Sequence, residues 1–167
     1  MSVEFWTMGS GRPGRPGSNV FSGTRQAIAA EEIGYDGIAY VDSQNLSGDC
    51  YVALALAAQA TSSIKLGTGV TNSFTRHPAA AASAIASIQM ESDGRAYLGI
   101  GRGDSALAHL GRAPHSVTEF ENYLEQLQNY LRGNEVAFED GSDLGSLGLA
   151  GNATSSRISW IAGIQPK

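Results

Sequence analysis

Residues 64–78 read Ile-Lys-Leu-Gly-Thr-Gly-Val-Thr-Asn-Ser-Phe-Thr-Arg-His-Pro, and an alanine-rich run follows them. The first seven form a short, largely apolar run, the pattern of a strand covered on both faces. Thr71 to His77 is a polar loop. Pro78 suits the first position of a helix, where its missing N–H has no helical acceptor to lose. The stretch is therefore one strand–loop–helix unit, and the same unit recurs on both sides of it.

Upstream, residues 3–8 read as a first strand. A polar segment, 18–22, then leads into a helix carrying Ala27, Ile28, Ala30 and Ile33 and ending at Gly34,. Residues 37–41 are a second strand. Asp49 is placed to cap a second helix over 51–60. Downstream, the third helix runs from Pro78 to about Met90, and Ser92-Asp93-Gly94 makes a turn. Residues 95–101 are a fourth strand, followed by a short helix over 105–110 that Gly111 can end. The clearest helix spans 116–131. Ser116 and Glu119 form a capping box, and Val117, Phe120, Leu124, Leu127 and Leu131 recur at helical spacing,. Residues 139–154 are loop-like, and 157–161 are a strand candidate.

Strand–helix units repeated in this way predict parallel βαβ crossovers and an α/β fold with helices outside a buried sheet. Periodicity does not choose between an open sheet and a barrel. A closed eight-fold barrel normally needs ~200 residues or more, so 167 residues have room for about half of one. The expectation is a single domain over 1–167 with a loop-like insertion over 134–156; that it is a partial barrel stopping before a fifth strand is what the family resemblance described below implies.

Composition narrows the class further. Apolar residues make up 42% of the chain and charged residues 16%, which argues against intrinsic disorder. The net charge of −5 offers no broad basic surface for nucleic acid. Cys50 is the only cysteine, so no internal disulfide or cysteine-based zinc site is expected. His77, His109 and His115 lack metal-ligand spacing, so no metal site is expected. No apolar run approaches the ~20 residues of a membrane span, and the first residues lack a signal peptide's apolar stretch. The expectation is a cytoplasmic protein without membrane or nucleic-acid partners.

In parallel α/β folds, ligands sit at the carboxyl ends of the strands. The segments there are Gly9 to Gly17, Asp42 to Asn45, Thr71 to Pro78 and Arg102 to Ser105. Gly9-Ser10-Gly11-Arg12-Pro13-Gly14 matches the spacing of a dinucleotide-binding loop, and Asp42 stands where such folds keep a ribose-binding acid. Pro13 and Pro16 obstruct the helix start that such a loop needs, so an NAD-type dehydrogenase is only an alternative and a flexible arm the plainer reading. Asp42 can accept a hydrogen bond or move a proton, or it can brace its loop. Gly67 and Gly69 inside a strand mark a bulge or a close approach. Asn72 carries a donor and an acceptor for a heterocyclic edge. Arg76 and His77 stand at a helix entry that favours an anion, or are a surface charge and a helix-entry residue. Gly99 to Asp104 is a second glycine-rich strand exit without a P-loop ending; there Asp104 can cap the short helix.

Taken together, Glu31 to Gly37, Val41 to Gln44, Ile64 to Asn72, Thr75 to Pro78, Ala82 to Ala86, Gly94 to Ala96 and Leu98 to Asp104 resemble the bacterial luciferase-like oxidoreductase superfamily. The resemblance is to its deazaflavin-dependent branch, around methylenetetrahydromethanopterin reductase. It covers most of residues 1–132 and continues more weakly to the end.

The resemblance implies a TIM-type barrel binding coenzyme F-420, or alternatively FMN, at its carboxyl face. Hydride would pass between the ring and a small organic substrate; FMN members instead activate oxygen, as monooxygenases. It also implies a bulge with a cis peptide, here Gly69–Val70, behind the flavin-type ring. By the same resemblance Asp42 is the acid facing the ring, and Gly69, Val70 and Asn72 are its backstop and edge. Thr75, Arg76, His77, Arg102, Gly103 and Asp104 line the same mouth. Many relatives carry histidine after the second-strand acid; this chain has Ser43. Half a barrel would leave an unpaired edge and an apolar lumen face, so a homo-oligomer, a missing C-terminal half, or a non-catalytic half-barrel acting by association are further expectations.

Overall fold

The computed structural model describes residues 3–9, 20–134 and 136. The elements are β1 (Trp6–Gly9), α1 (Val20–Ile33), β2 (Gly37–Tyr40), α2 (Cys50–Ala60), β3 (Lys65–Asn72), α3 (Pro78–Glu91), β4 (Ala96–Gly101), α4 (Asp104–Ala108) and α5 (Val117–Arg132). The strands form one parallel sheet in the order β1-β2-β3-β4. In register, Trp6 lies beside Gly37, Ala39 beside Gly67, and Gly67 beside Tyr97. A parallel sheet requires a crossover between neighbouring strands, and the helices supply it.

The alternation of the strands separates two faces. Ile38, Tyr40 and Leu66 are buried with Ala27, Ala30, Leu54, Ala57, Ile85 and Ile88 from the helices. Each fully buried Leu or Ile contributes about 1.5–3 kcal/mol relative to exposure. The small residues on the helices let them lie close to the sheet. The Tyr40 hydroxyl crosses this layer and donates to the Gly23 carbonyl at 2.6 Å. On the opposite face, the Trp6 ring lies across the next strand: a Cβ at Gly37 would come within 2.3 Å of it. The ring then meets Tyr97 edge-on, with centroids 5.2 Å apart. Met8, Val70 and Tyr97 are exposed on the protein.

The end signals hold at most helices. The Asp49 carboxylate accepts from the Tyr51 and Val52 amides at α2. Pro78 opens α3, and the capping box of Ser116 and Glu119 is formed at α5. Three local readings change. The N-cap of α4 is Gly103, in the left-handed conformation and without a side-chain bond, while Asp104 is the first helical residue and does not cap. On α5 the packed stripe centres on Tyr123 and Leu127 against Ala81 and Ala82, and Val117 is exposed. β3 runs two residues past Val70 to Asn72, because the bulge described below lets pairing with β4 resume. The loop over 10–17, the strand candidate over 157–161 and, but for 134 and 136, the segment 134–156 lie outside the described residues.

Candidate functional site

β3 departs from regular pairing where its sequence holds two glycines. Thr68 pairs with Leu98 and Thr71 with Ile100, so Gly69 and Val70 stand opposite Gly99 alone. Two residues against one is a β-bulge, which bends a strand and re-aims its side chains. The Gly69–Val70 peptide bond is cis, as the resemblance implies. Val70, at 55% exposure, stands out from the sheet. A Cβ at Gly69 would press on Ala39 at 2.7 Å and on Met8 at 3.1 Å. Thr68 Oγ1 ties the bulge to β4 by donating to the Gly99 carbonyl at 2.7 Å.

Past the bulge the side chains turn inward. Thr71 Oγ1 donates to Asp42 Oδ2 at 2.7 Å, and Gln44 Nε2 donates to Asp42 Oδ1 at 3.0 Å. Asp42 is 4% exposed, so its carboxylate is bound to the neighbouring strand and to its own loop. Burial, with the charges of Asp42 and Asp49 beside it, pushes the Cys50 thiol well above its ordinary range; it stays protonated and unreactive at neutral pH. Asn72 is 2% exposed. Its Oδ1 accepts from the Phe74 and Thr75 amides and from Thr75 Oγ1, at 2.9–3.1 Å. This side-chain turn shapes the loop after β3. Asn72 Nδ2 is buried and has no hydrogen-bond partner within the protein.

The remaining candidates divide. Gly103 belongs to the Asn72 neighbourhood: a Cβ there would lie 3.1 Å from the Asn72 Cβ. Arg102 and Asp104 face each other only at 4.0 Å, on the rim, and Arg102 donates to the His115 carbonyl at 3.4 Å. Arg76 pairs with Asp49 and lies 4.6 Å over the Tyr51 ring. His77 Nδ1 accepts from the Ala79 amide. Arg76 and His77 thus hold the α2 and α3 entries and line a cleft toward α5. Thr71 and Tyr51 are the residues the sequence reading passes over. Thr71 carried a signal: a polar residue just past a Gly-x-Gly strand. Tyr51 lay hidden inside an apolar helix.

Among the described residues, no group of three or more His, Cys, Asp and Glu stands together as a metal site. No helix among them is long and apolar enough to cross a membrane.

Consecutive parallel strands with helices on one face, and a bulge on the third strand near its carboxyl end, place the protein in the βα-barrel class. The chain belongs to the luciferase-like monooxygenase family, whose profile matches residues 3–142. It is 44% identical over 126 residues to the 5,10-methylenetetrahydromethanopterin reductase of Methanolobus tindarius, covering 74% of this chain and 38% of that protein. To the reductase of the same name from Methanopyrus kandleri it is 57% identical over 102 residues, covering 52% of this chain and 29% of that protein. Among solved structures, the coenzyme F-420-dependent tetrahydromethanopterin reductase of Methanopyrus kandleri superposes with a TM-score of 0.71 at 30% identity, covering 83% of this chain and 43% of that one. The chain therefore spans well under half the length of these relatives. In fold it is four parallel βα units, part of a TIM-type barrel.

Proposed function

We propose that the chain is the cofactor-facing part of an oxidoreductase that uses coenzyme F-420 to reduce or oxidise a small organic molecule. The observation that carries this reading is the bulge of β3, with Val70 standing out from the sheet two residues before a buried, unpartnered Asn72 amide. An apolar platform followed by a free donor suits a flat heterocycle with carbonyl acceptors at its edge. When bound, the deazaflavin ring supplies the hydride chemistry; the protein supplies position and electrostatics. The names of the three relatives, all reductases and one of them F-420-dependent, support the choice of ring.

In this reading Gly69 and Val70 back the ring, and Asn72 Nδ2 donates to its edge. Thr75 holds Asn72 in place through the bonds to Oδ1. Asp42 is the acid at the rim: it fixes Thr71, and each of its two oxygens, with one donor apiece, keeps capacity to accept another,. Arg102, Gly103 and Asp104 form the outer lip. Arg76 and His77 keep the third loop in shape, the first through Asp49 and the second through Ala79. Ser43 follows the acid, so proton movement at this rim relies on Asp42 and not on a histidine.

Equilibrium titration of the purified chain with F-420 and, separately, with FMN tests the reading. Saturable binding of F-420, stronger than that of FMN and weakened by Asn72→Ala, is the expected result. Absence of binding by both rings contradicts it. A second reading has its own observation, the exposed apolar side chains of Met8, Val70 and Tyr97: a non-catalytic half-barrel that acts by association, with itself or with the other half. A monomer in solution that turns over F-420 excludes that second reading.

A further inference from the structure

A second cleft, of about 570 Å³, lies between the loop after β3 and the first half of α5. Phe74, Arg76, His77, His115, Asn122 and Tyr123 are among the residues lining it. Two of its polar groups have no partner within the protein. Tyr123 is 94% buried, as the complement of its 6% exposure, and its hydroxyl bonds to nothing; the buried Arg76 Nε–H also has no acceptor. An unpaired buried donor is destabilising, and a bound acceptor would offset that. Both residues line the cleft; burial pushes the Tyr123 phenol up to about 12, with the Arg76 guanidinium opposing it. His77 adds a third donor. Its Nδ1 accepts from the Ala79 amide, which places the proton of the neutral ring on Nε2. Phe74 and His115 add an apolar, tilted aromatic wall with ring centroids 5.3 Å apart.

We infer that this cleft is a binding site for a small aromatic carboxylate, with its oxygens on Tyr123 and Arg76 and its ring against Phe74 and His115. Acids nearby do not fill the role. Asp49 takes the terminal nitrogen of Arg76 and leaves Nε free, and Glu119 is committed to the Ser116 amide in the α5 cap. Asp42, Val70 and Asn72 are not among its lining residues, and the titration below reads this cleft in the absence of F-420.

Benzoate is the probe, read by the ring-proton NMR signals of the histidines during titration of the 167-residue chain. His77 and His115 line the cleft, while His109 closes α4 outside it and serves as the internal control. The expected result is a saturable shift of the His77 and His115 signals with His109 unmoved. Tyr123→Phe, which keeps the packing ring, should weaken benzoate roughly tenfold, the loss of one hydrogen bond to a charged group. Benzyl alcohol should bind more weakly than benzoate, and acetate more weakly still. Unmoved signals, equal shifts at all three histidines, or equal affinity in Tyr123→Phe would overturn the assignment. Equal binding of benzyl alcohol would overturn the carboxylate, and equal binding of acetate the aromatic wall. Should Tyr123→Phe fail to fold, Phe74→Leu, which removes the exposed ring of the aromatic wall, gives the second variant. It should weaken benzoate severalfold, and an unchanged affinity there also counts against the site.

Discussion

Thr71→Val keeps the branched shape of the side chain and removes the hydroxyl from which Asp42 accepts. A buried carboxylate oxygen then loses its donor, at a cost of about 1–3 kcal/mol. Urea unfolding should show that loss, and binding of F-420 should fall with it; an unchanged midpoint would remove Thr71 from the site. Glu31 offers a pH test at the same scale. Burial works to raise its carboxyl, yet the amides of Ile64, Ser63 and Ser62 and the Ser63 hydroxyl outweigh it and hold the group at about 2, below its ordinary 4.5. The folded pKa is depressed, so the stabilisation is complete above 4.5 and is lost as pH falls through 2,. Glu31→Gln should lower the unfolding midpoint at pH 7 and flatten its decline between pH 5 and pH 2. An identical acid limb in the variant and the parent would show that this carboxylate does not carry the dependence.

Among the elements, the junction of β3 and β4 is the least forgiving. A Cβ at Gly99 would come within 2.4 Å of the Thr68 carbonyl oxygen, and a backbone atom in a paired strand cannot step aside. Gly99→Ala should therefore cost about 1–3 kcal/mol and weaken F-420 binding by displacing the bulge. Retained stability and binding would mean that the bulge tolerates a shift. Arg95 matters to the helix layer in a similar way. Its guanidinium donates to the carbonyls of Ala58, Thr61 and Ile64 and to Thr61 Oγ1, and its Nε donates to the Ser92 carbonyl. It closes the end of α2, which has no basic residue of its own in the last turn. Arg95→Lys keeps the charge and loses the fork; a loss of about 2–3 kcal/mol in unfolding free energy is expected, and a neutral result would contradict this role.

What the sequence made legible follows from the range of the forces involved. Caps and turns act within a few residues, so Asp49, Pro78, Ser116 with Glu119, and Gly34 could be placed from local chemistry. The parallel class followed from repetition. Arg95 looked like the first residue of a strand because, Ser92 apart, its partners lie more than thirty positions away in the chain. Val117 looked like core because helical spacing fixes a stripe and not its centre. That centre is set by the small residues Ala81 and Ala82 on α3, which admit Tyr123 and Leu127. The glycines of β3 announced a bulge, but the inward turn of Asp42 and Thr71 depends on how three strand ends meet. The resemblance sets Arg76 and His77 at the mouth of the ring site; in the fold the α3 entry brings both to the lining of the cleft beside α5.

At the scale of the whole molecule, one sheet face is covered by helices and the other exposes Met8, Val70 and Tyr97. A ligand that binds only the folded state stabilises it by mass action, by about 2.7 kcal/mol at a hundredfold excess over Kd. F-420 should therefore raise the unfolding midpoint of the chain, and FMN should raise it less. The most direct test is methyl NMR on the chain during titration with F-420. The Val70 and Met8 methyl signals should move upfield together and saturate at one equivalent of ring, with Leu54 in the helix layer unmoved. Saturable binding that leaves Val70 unmoved, or no movement of any methyl signal, would contradict the placement of the ring on the bulge.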